Sequence, residues 1–361
     1  MYLSEKTPLI AIDIGTHSIK MAQLLPSRRG KHELLSFGLI PLKEDSIIDG
    51  VIKNYDDVVE TLVRLLKVEK IQTRFAVASI AGEAVIIKKI KVPLMSKEEL
   101  DENIYQEAEQ YIPFDIDDVS IDFHILGGAE KASDQEDDDE EQETMEILLV
   151  AVQKEMIYNR TDVLTDAGLK PVIIDLDVFA MENAANMIMD LKSMGAVALI
   201  DLGESFTHIN IMMHGVTSFT RDIPIGGGYG TRRLMSKFEI PYVQAGEFKA
   251  GKIPDSVEEE AVIAVMTHSF SKLLEEVQKS FEFFSTTSNT EVGRVLLCGG
   301  GSLVRGVEGF FADHLKIPVE ILDPMKGLKV SSRKFDQATI EEMAPLATVA
   351  VGLATRRFDY K

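Results

Sequence analysis

Leu9 to Leu24 reads LIAIDIGTHSIKMAQL, and Val197 to Met212 reads VALIDLGESFTHINIM. Each is an apolar run that ends in Asp-x-Gly, turns through small hydroxylated residues and resumes as a second apolar run. The resumed runs alternate only loosely, so each pair fits a hairpin better than a strand-to-helix turn. That separates both segments from a P-loop and from a dinucleotide-binding turn. A hairpin of one kind met twice, far apart in the chain, predicts an internally duplicated α/β fold.

The 361 residues are enough for two hydrophobic cores, and 45% hydrophobic with 27% charged residues is ordinary for a soluble globular chain. The formal charge of −21 argues against nucleic acid or anionic lipid as a main partner, because phosphates would be repelled. Nine of the carboxylates lie in DQEDDDEEQETME, Asp134 to Glu146, and without them the net charge is about −12, so local basic patches remain open. The single cysteine, Cys298, cannot form an intrachain disulfide, and no Cys/His cluster has zinc spacing. The first apolar stretch is interrupted by Asp13, unlike a signal peptide, and no segment reaches the length of a membrane span. A cytoplasmic chain without direct membrane insertion is the expectation.

Between the two echoes, AVIIKKIKVP (Ala84 to Pro93) reads as a strand. Ser96 with Glu99 forms a capping box for a helix with Leu100, Ile104, Ala108 and Ile112 on one stripe, ended by Pro113. VSIDFHIL (Val119 to Leu126) alternates as a half-buried strand, and MEILLVAV (Met145 to Val152) suits a covered one. The acidic stretch joining them cannot bury apolar area and reads as a solvated, disordered loop rather than a binding tail. Further on come a helix from Glu155 to Gly168, the strand VIIDLD (Val172 to Asp177), a helix through Asn186, a long helix from Glu258 to Phe284, the buried strand RVLLCGGGS (Arg294 to Ser302) and an apolar closing helix.

Three glycine-bearing turns could carry chemistry. Asp13-Ile14-Gly15-Thr16-His17-Ser18-Ile19-Lys20 combines main-chain N–H donors, hydroxyls and a lysine within reach of phosphate oxygens. Asp201-Leu202-Gly203-Glu204-Ser205 offers a second such turn. Cys298-Gly299-Gly300-Gly301-Ser302-Leu303 follows a strand, where missing side chains let a flat base or a phosphate approach the backbone. A triphosphate with Mg²⁺ needs donors from two sides and one or two carboxylates to hold the metal's waters. Singly, each turn is more often plain structure; their order and separation carry the weight.

In that order the turns resemble the two phosphate hairpins and the adenosine loop of the actin, sugar kinase and Hsp70 superfamily, with IIDLDVFAMENA and APLATVAVGL (Ala344 to Leu353) similar to its two connecting helices. Within it, Lys88 to Leu126, and above all Glu107-Ala108-Glu109-Gln110-Tyr111-Ile112-Pro113-Phe114, resembles the inserted subdomain of the PilM family of type IV pilus assembly proteins, related to FtsA. The likeness covers the chain apart from the acidic loop. It implies an actin-like, ribonuclease H-like duplicated two-lobed α/β fold with a small FtsA-type α+β subdomain inserted. The lobes would divide as 1–83 (first lobe), 84–152 (inserted, partner-binding, with an acidic loop at 128–145), 153–195 (end of the first lobe and connecting helix), 196–343 (second lobe) and 344–361 (closing helix).

The same resemblance implies ATP and Mg²⁺ as cofactors. Asp13 and Asp201 would hold the Mg²⁺ water shell; Gly15, Thr16, Ser18 and Lys20 on one side and Gly203 and Ser205 on the other would meet the phosphates. Gly226 and Gly227, with Thr231, would lie near the α-phosphate and ribose, and Gly299, Gly300, Gly301, Ser302 and Leu303 would form the adenosine loop. FtsA-like proteins often carry Ala-Glu-x-x-Lys near the ribose. Here Ala245-Gly246-Glu247-Phe248-Lys249 keeps Lys249, puts Gly246 where the first Glu is usual and leaves Glu247 as a possible substitute. Family members bind the cytoplasmic N-terminal peptide of the inner-membrane protein PilN between the inserted and first subdomains. That places the chain in the cytoplasm, peripheral to the inner membrane through protein partners, with other pilus platform components and self-association open.

Asp13, Asp201 and Asp177 are the candidate catalytic carboxylates. Asp175 and Asp177 either orient an attacking water or simply end a strand and cap the next helix. No side chain is an unmistakable water activator, so hydrolysis stays open. His17 is read as solvent-facing, His208 and His214 as structural, Cys298 as a small core residue, and the 15 methionines as core filler. Alternatives are an FtsA-like filament protein, against which the chain ends at Arg-Arg-Phe-Asp-Tyr-Lys without an amphipathic membrane helix, a small-molecule kinase, and a scaffold with an empty cleft.

Overall fold

The structure, a computed structural model, describes residues 8–26, 32–130 and 143–357. Most of the acidic loop expected at 128–145, and the end of the closing segment at 358–361, lie outside the described residues. The chain divides into two compact units, one of 1–81 with 161–361 and one of 82–160.

In the larger unit, β1 (Ile10–Ile14) and β2 (Ser18–Pro26) form the first expected hairpin, with Asp13 opposite Lys20, and β3 (His32–Pro41) continues antiparallel beside β2. A short hairpin, β4 (Ile47–Ile48) and β5 (Val51–Ile52), turns at Asp49-Gly50 with φ of 49° and 79°. These left-handed angles are what an Asp-Gly turn supplies without strain. Helix α1 (Tyr55–Val68) is capped by Asn54, whose side-chain oxygen accepts from the Asp57 N–H, and leads to β6 (Phe75–Ile80), parallel to β1.

The unit of 82–160 holds β7 (Val85–Pro93), α2 (Lys97–Ala108), β8 (Val119–Glu130) and β9 (Thr144–Gln153), in the sheet order β7-β9-β8. The central place of β9 explains its unbroken apolar run. The capping box is formed: Ser96 Oγ accepts from the Glu99 N–H at 3.2 Å and the Glu99 carboxylate accepts from the Ser96 N–H at 2.8 Å. Leu100, Ile104 and Ala108 share one core with Ile147, Leu149 and Ala151.

After α3 (Lys154–Asp166), β10 (Lys170–Leu176) lies parallel to β6 and completes the first sheet, β3-β2-β1-β6-β10. Helix α4 (Asp177–Ile188) follows. The second half then repeats the plan. β11 (Ala196–Leu202), β12 (Thr207–Met213) and β13 (Val216–Ile223) are antiparallel. Helices α5 (Gly227–Phe238), α6 (Tyr242–Lys249) and α7 (Glu259–Ser288) precede β14 (Val292–Cys298), parallel to β11. Helix α8 (Val307–Leu315) and β15 (Val319–Ile321) close a sheet ordered β13-β12-β11-β14-β15. Strand for strand, in order and direction, it copies the first. The long helix runs four residues past the expected Phe284, to where Asn289 turns left-handed at φ 52°. α9 (Gln337–Met343) and α10 (Thr348–Leu353), joined by a 3-10 turn, end the fold.

Strand alternation assigns each face of a sheet. Ile10, Ile12 and Ile14 of β1 pack outward with α1, while Ala11 enters a core shared by both halves. In β11, Ala196, Ala198, Ile200 and Leu202 face the second half's own helices, whereas Val197 and Leu199 enter the shared core. Into that core also go α4 and α10, which cross so closely that a Cβ on Gly352 would lie 1.8 Å from the Ala180 carbonyl oxygen. Helix α4, leaving the first half, is bonded to the second: the Glu182 carboxylate accepts from the Thr217 N–H at 2.8 Å and the Val178 carbonyl accepts from Asn210 at 2.9 Å.

Candidate functional site

The inward series of β1 runs Ala11, Asp13, and that of β11 runs Val197, Leu199, Asp201. The period of two therefore turns both carboxylates toward the space between the two sheets, at the strand ends where the hairpins turn. The first turn closes with the Gly15 N–H donating to the Ser18 carbonyl at 3.1 Å. Its Lys20 Nζ lies 3.0 Å from Asp13 Oδ2, and Asp13 is only 6% exposed. Burial alone would lower the lysine, but Asp13, with Asp201 and Asp177 further off, outweighs it and raises the ammonium above its usual range.

The glycines let the second half close around its own turn. The Gly203 and Glu204 carbonyls accept from the N–H groups of Gly227 and Gly228, at 2.8 and 2.9 Å. A Cβ on Gly226 would sit 2.4 Å from the Glu204 carbonyl oxygen. Gly299, at φ 77°, lies against Asp201, and its Cβ would fall 1.9 Å from Asp201 Oδ1. A Cβ on Gly227 would be 3.2 Å from Lys249 Nζ and 3.9 Å from the Gly301 Cα. Asp201, Gly203, Gly226, Gly227, Lys249, Gly299 and Gly301 thus form one cluster. Thr16 and Ser205 lie partly exposed in their turns, and Gly300 and Leu303 bound the 3-10 turn after Gly299.

Several expected contacts are spent elsewhere. Ser302 Oγ donates to the Gly299 carbonyl at 2.7 Å and braces the loop, and Ser18 is 2% exposed. The N–H groups of Gly227 and Gly228 already hold the second turn, so this loop supports the site rather than offering those donors. Glu247 is exposed, about 200° around α6 from Lys249. The carboxylate on Lys249 is instead Glu204, at 3.2 Å, with Thr231 Oγ1 accepting at 2.9 Å. A Cβ on Gly246 would meet nothing within 4 Å. Asp175 does not cap α4: it holds Arg356 Nε and Nη2, at 2.5 and 3.0 Å, and the helix starts from Leu176 without a side-chain cap. Asp177, the first residue of α4, acts electrostatically on Lys20 and His208.

The sequence assigns no role to Tyr242, Glu204 and Asp222, which find partners here. Tyr242 Oη donates to Glu204 Oε1 at 3.1 Å, so the exposed His17, whose Nδ1 is 3.2 Å from the same oxygen, is the donor to Tyr242. A hydrogen-bonded chain therefore links the first turn to α6 and the second turn. Glu204 is half-buried, and desolvation works against its charge, but Lys249 and then His17 and Tyr242 hold its carboxyl below the usual range. His208, expected to be structural, and Asp222 form a pair at 2.6 Å, Nδ1 to Oδ1. Glu204 and His208 lie inside the segment Val197 to Met212 that the sequence marks, and Tyr242 and Asp222 lie outside it.

Burial works against a charge on His208, but Asp222, Asp177 and Asp201 raise it to about 9. The folded value exceeds the ordinary 6.5, so the stability from this ion pair is complete below pH 6.5 and is lost as pH rises through about 9. The gap in Tm between wild type and Asp222→Asn should accordingly be widest near pH 6 and close toward pH 10. A gap that is constant across this range would contradict the charged pair.

A family model described as type IV pilus assembly protein PilM matches residues 11–358. The solved PilM-PilN type IV pilus biogenesis complex superposes with a TM-score of 0.81 at 23% identity, over 97% of this chain and 98% of that one. MreB5 of Spiroplasma citri bound to AMPPNP gives 0.50 at 14% identity, over 97% and 95%. Cell division protein FtsA of Bacillus subtilis is 24% identical over 232 residues, 60% of this chain and 52% of its own length. The chain thus spans about half of that relative. The fold is actin-like, and no helix among the described residues is long and apolar enough to cross a membrane.

Proposed function

The chain belongs to the type IV pilus assembly protein PilM family, and on that premise we propose that it is the ATP-binding component of a pilus inner-membrane platform, held there by the cytoplasmic N-terminal peptide of a PilN-type protein. The observation that carries the nucleotide reading is the pairing of two turns, one from each half. Asp13 with Lys20 lies on one side, and Asp201 under the side-chain-free Gly299 on the other. MreB5, of the same fold, was solved with AMPPNP, and the PilM-PilN complex supports the partner.

The residues fit Mg²⁺ of one kind. Among the described residues no group of three or more His, Cys, Asp or Glu could cage a metal. Two carboxylates on opposite walls suit an ion that keeps its waters and takes its other oxygens from phosphate. Asp13 and Asp201 would hold those waters, and the ion would offset phosphate charge beside them. Lys20 would exchange its bond to Asp13 for phosphate oxygens, and Lys249 would leave Glu204 in the same way. Each exchange costs an existing ion pair, so nucleotide is favoured only where the cleft has closed enough to repay it. Ligand binding would in this way bias the shape presented to the peptide.

A fluorescent ATP analogue titrated with Mg²⁺ tests this. Wild type should saturate at micromolar concentrations and Asp13→Ala should lose at least about tenfold in affinity. A PilN-type N-terminal peptide should then bind wild type with different affinity in the presence and absence of nucleotide. Equal affinities would remove the coupling, and no binding of the analogue by wild type would favour the empty scaffold.

A further inference from the structure

Three neighbouring strands carry one row of ionisable residues. On β11 and β12 Asp201 is the register partner of His208, and on β12 and β13 His208 is the partner of Asp222. Row partners on adjacent strands point to the same face, and here it is the inward one, since Val197 and Leu199 of β11 enter the shared core ahead of Asp201. The imidazole is fixed. Nδ1 is engaged by Asp222 at 2.6 Å, and the ring is stacked on Phe206 with 6.2 Å between centroids at 21°. Asp201 is confined from the other side by Gly299.

A β-bulge makes the row possible. Counting outward from the His214-Gly215 turn pairs Met213 with Val216 and Met212 with Thr217, and continued without interruption it would bring Arg221 opposite His208. The register shifts between Ile211 and Met212, and Asp222 arrives there instead. Arg221 is opposite Ile209 and reaches α7, with Nη2 2.7 Å from Glu276. One inserted residue has replaced a guanidinium by a carboxylate beside the imidazole.

We infer that His208, clamped by Asp222, is a positioning residue that holds the Asp201 carboxylate ready for the magnesium of Mg-nucleotide. Three carboxylates, Asp13, Asp177 and Asp201, act on Lys20 in this space. His208 stands beside Asp201 as its register partner, and the 2.6 Å bond to Asp222 together with the Phe206 stack keeps its ring from swinging into the phosphate site. This rests on the nucleotide reading proposed above.

The test is the magnesium dependence of binding of the fluorescent ATP analogue to the full chain, with Mg²⁺ and in excess EDTA, for wild type, His208→Gln and Asp222→Asn. Both variants should lose about tenfold in affinity with Mg²⁺, the size of one close charge interaction. Without Mg²⁺ their affinities should stay within about twofold of wild type, so the gain from the metal shrinks. The wild-type gain retained in both variants would overturn the inference alone, as would equal losses with and without the metal, the mark of a merely structural role. Failure of wild type to bind would overturn the nucleotide reading and this inference with it. If one variant does not fold, the other gives the same comparison.

Discussion

Gly352→Ala should destabilise the protein by about 2 kcal/mol, against what local helix propensity predicts. Alanine in place of glycine inside a helix gains up to about 1 kcal/mol. The new methyl carbon, however, would lie 1.8 Å from the Ala180 carbonyl oxygen and 2.5 Å from its carbon. Neither is the movable end of a side chain, so α10 and α4 must part by more than an ångström. Overpacking of this kind costs about 3 kcal/mol, and packing wins. Thermal unfolding should show Tm lower by roughly 2 to 4 °C. Because both helices lie in the core between the sheets, nucleotide affinity should fall too. A raised Tm would show that the two helices do not cross at this point.

Lys20→Met should cost about 3 kcal/mol, because it strands a buried charge rather than because it deletes a favourable one. The side chains of Lys20 and Asp13 are 15% and 8% exposed. With the ammonium gone, Asp13 keeps its desolvation and loses its partner, while Asp201 and Asp177 remain nearby. The double variant Asp13→Asn/Lys20→Met, which removes both charges, should recover much of the loss, and urea unfolding of the four proteins gives the coupling directly. If the double variant were as unstable as the two single losses combined, the two side chains would not be acting as a pair. Under the proposed function neither variant should bind Mg-nucleotide at wild-type affinity.

Both Asp-x-Gly hairpins were legible as sequence, since such a turn between apolar runs is a local signal complete within about a dozen residues. So was the capping box at Ser96 and Glu99, which is set three residues apart on one turn of helix. The duplicated sheets follow from hairpins that recur, because each begins the same strand order. Side chains that meet at long range left no such mark. Asp175 and Arg356 are 181 residues apart, and Tyr242 meets Glu204 from 38 residues away. Ser302 looked like a ligand hydroxyl, yet the Gly299 carbonyl three residues back already uses it.

What the sequence determined by itself is which faces are apolar and where the chain must turn, for both are properties of neighbouring residues. Strand periodicity alone points Asp13 and Asp201 inward. Which charge stands beside which was decided only by the tertiary structure. A bulge between Ile211 and Met212 moves the register by one residue and exchanges Arg221 for Asp222 next to His208. The period of two in a strand makes such a slip change every later pairing, and nothing in the order of amino acids announces it.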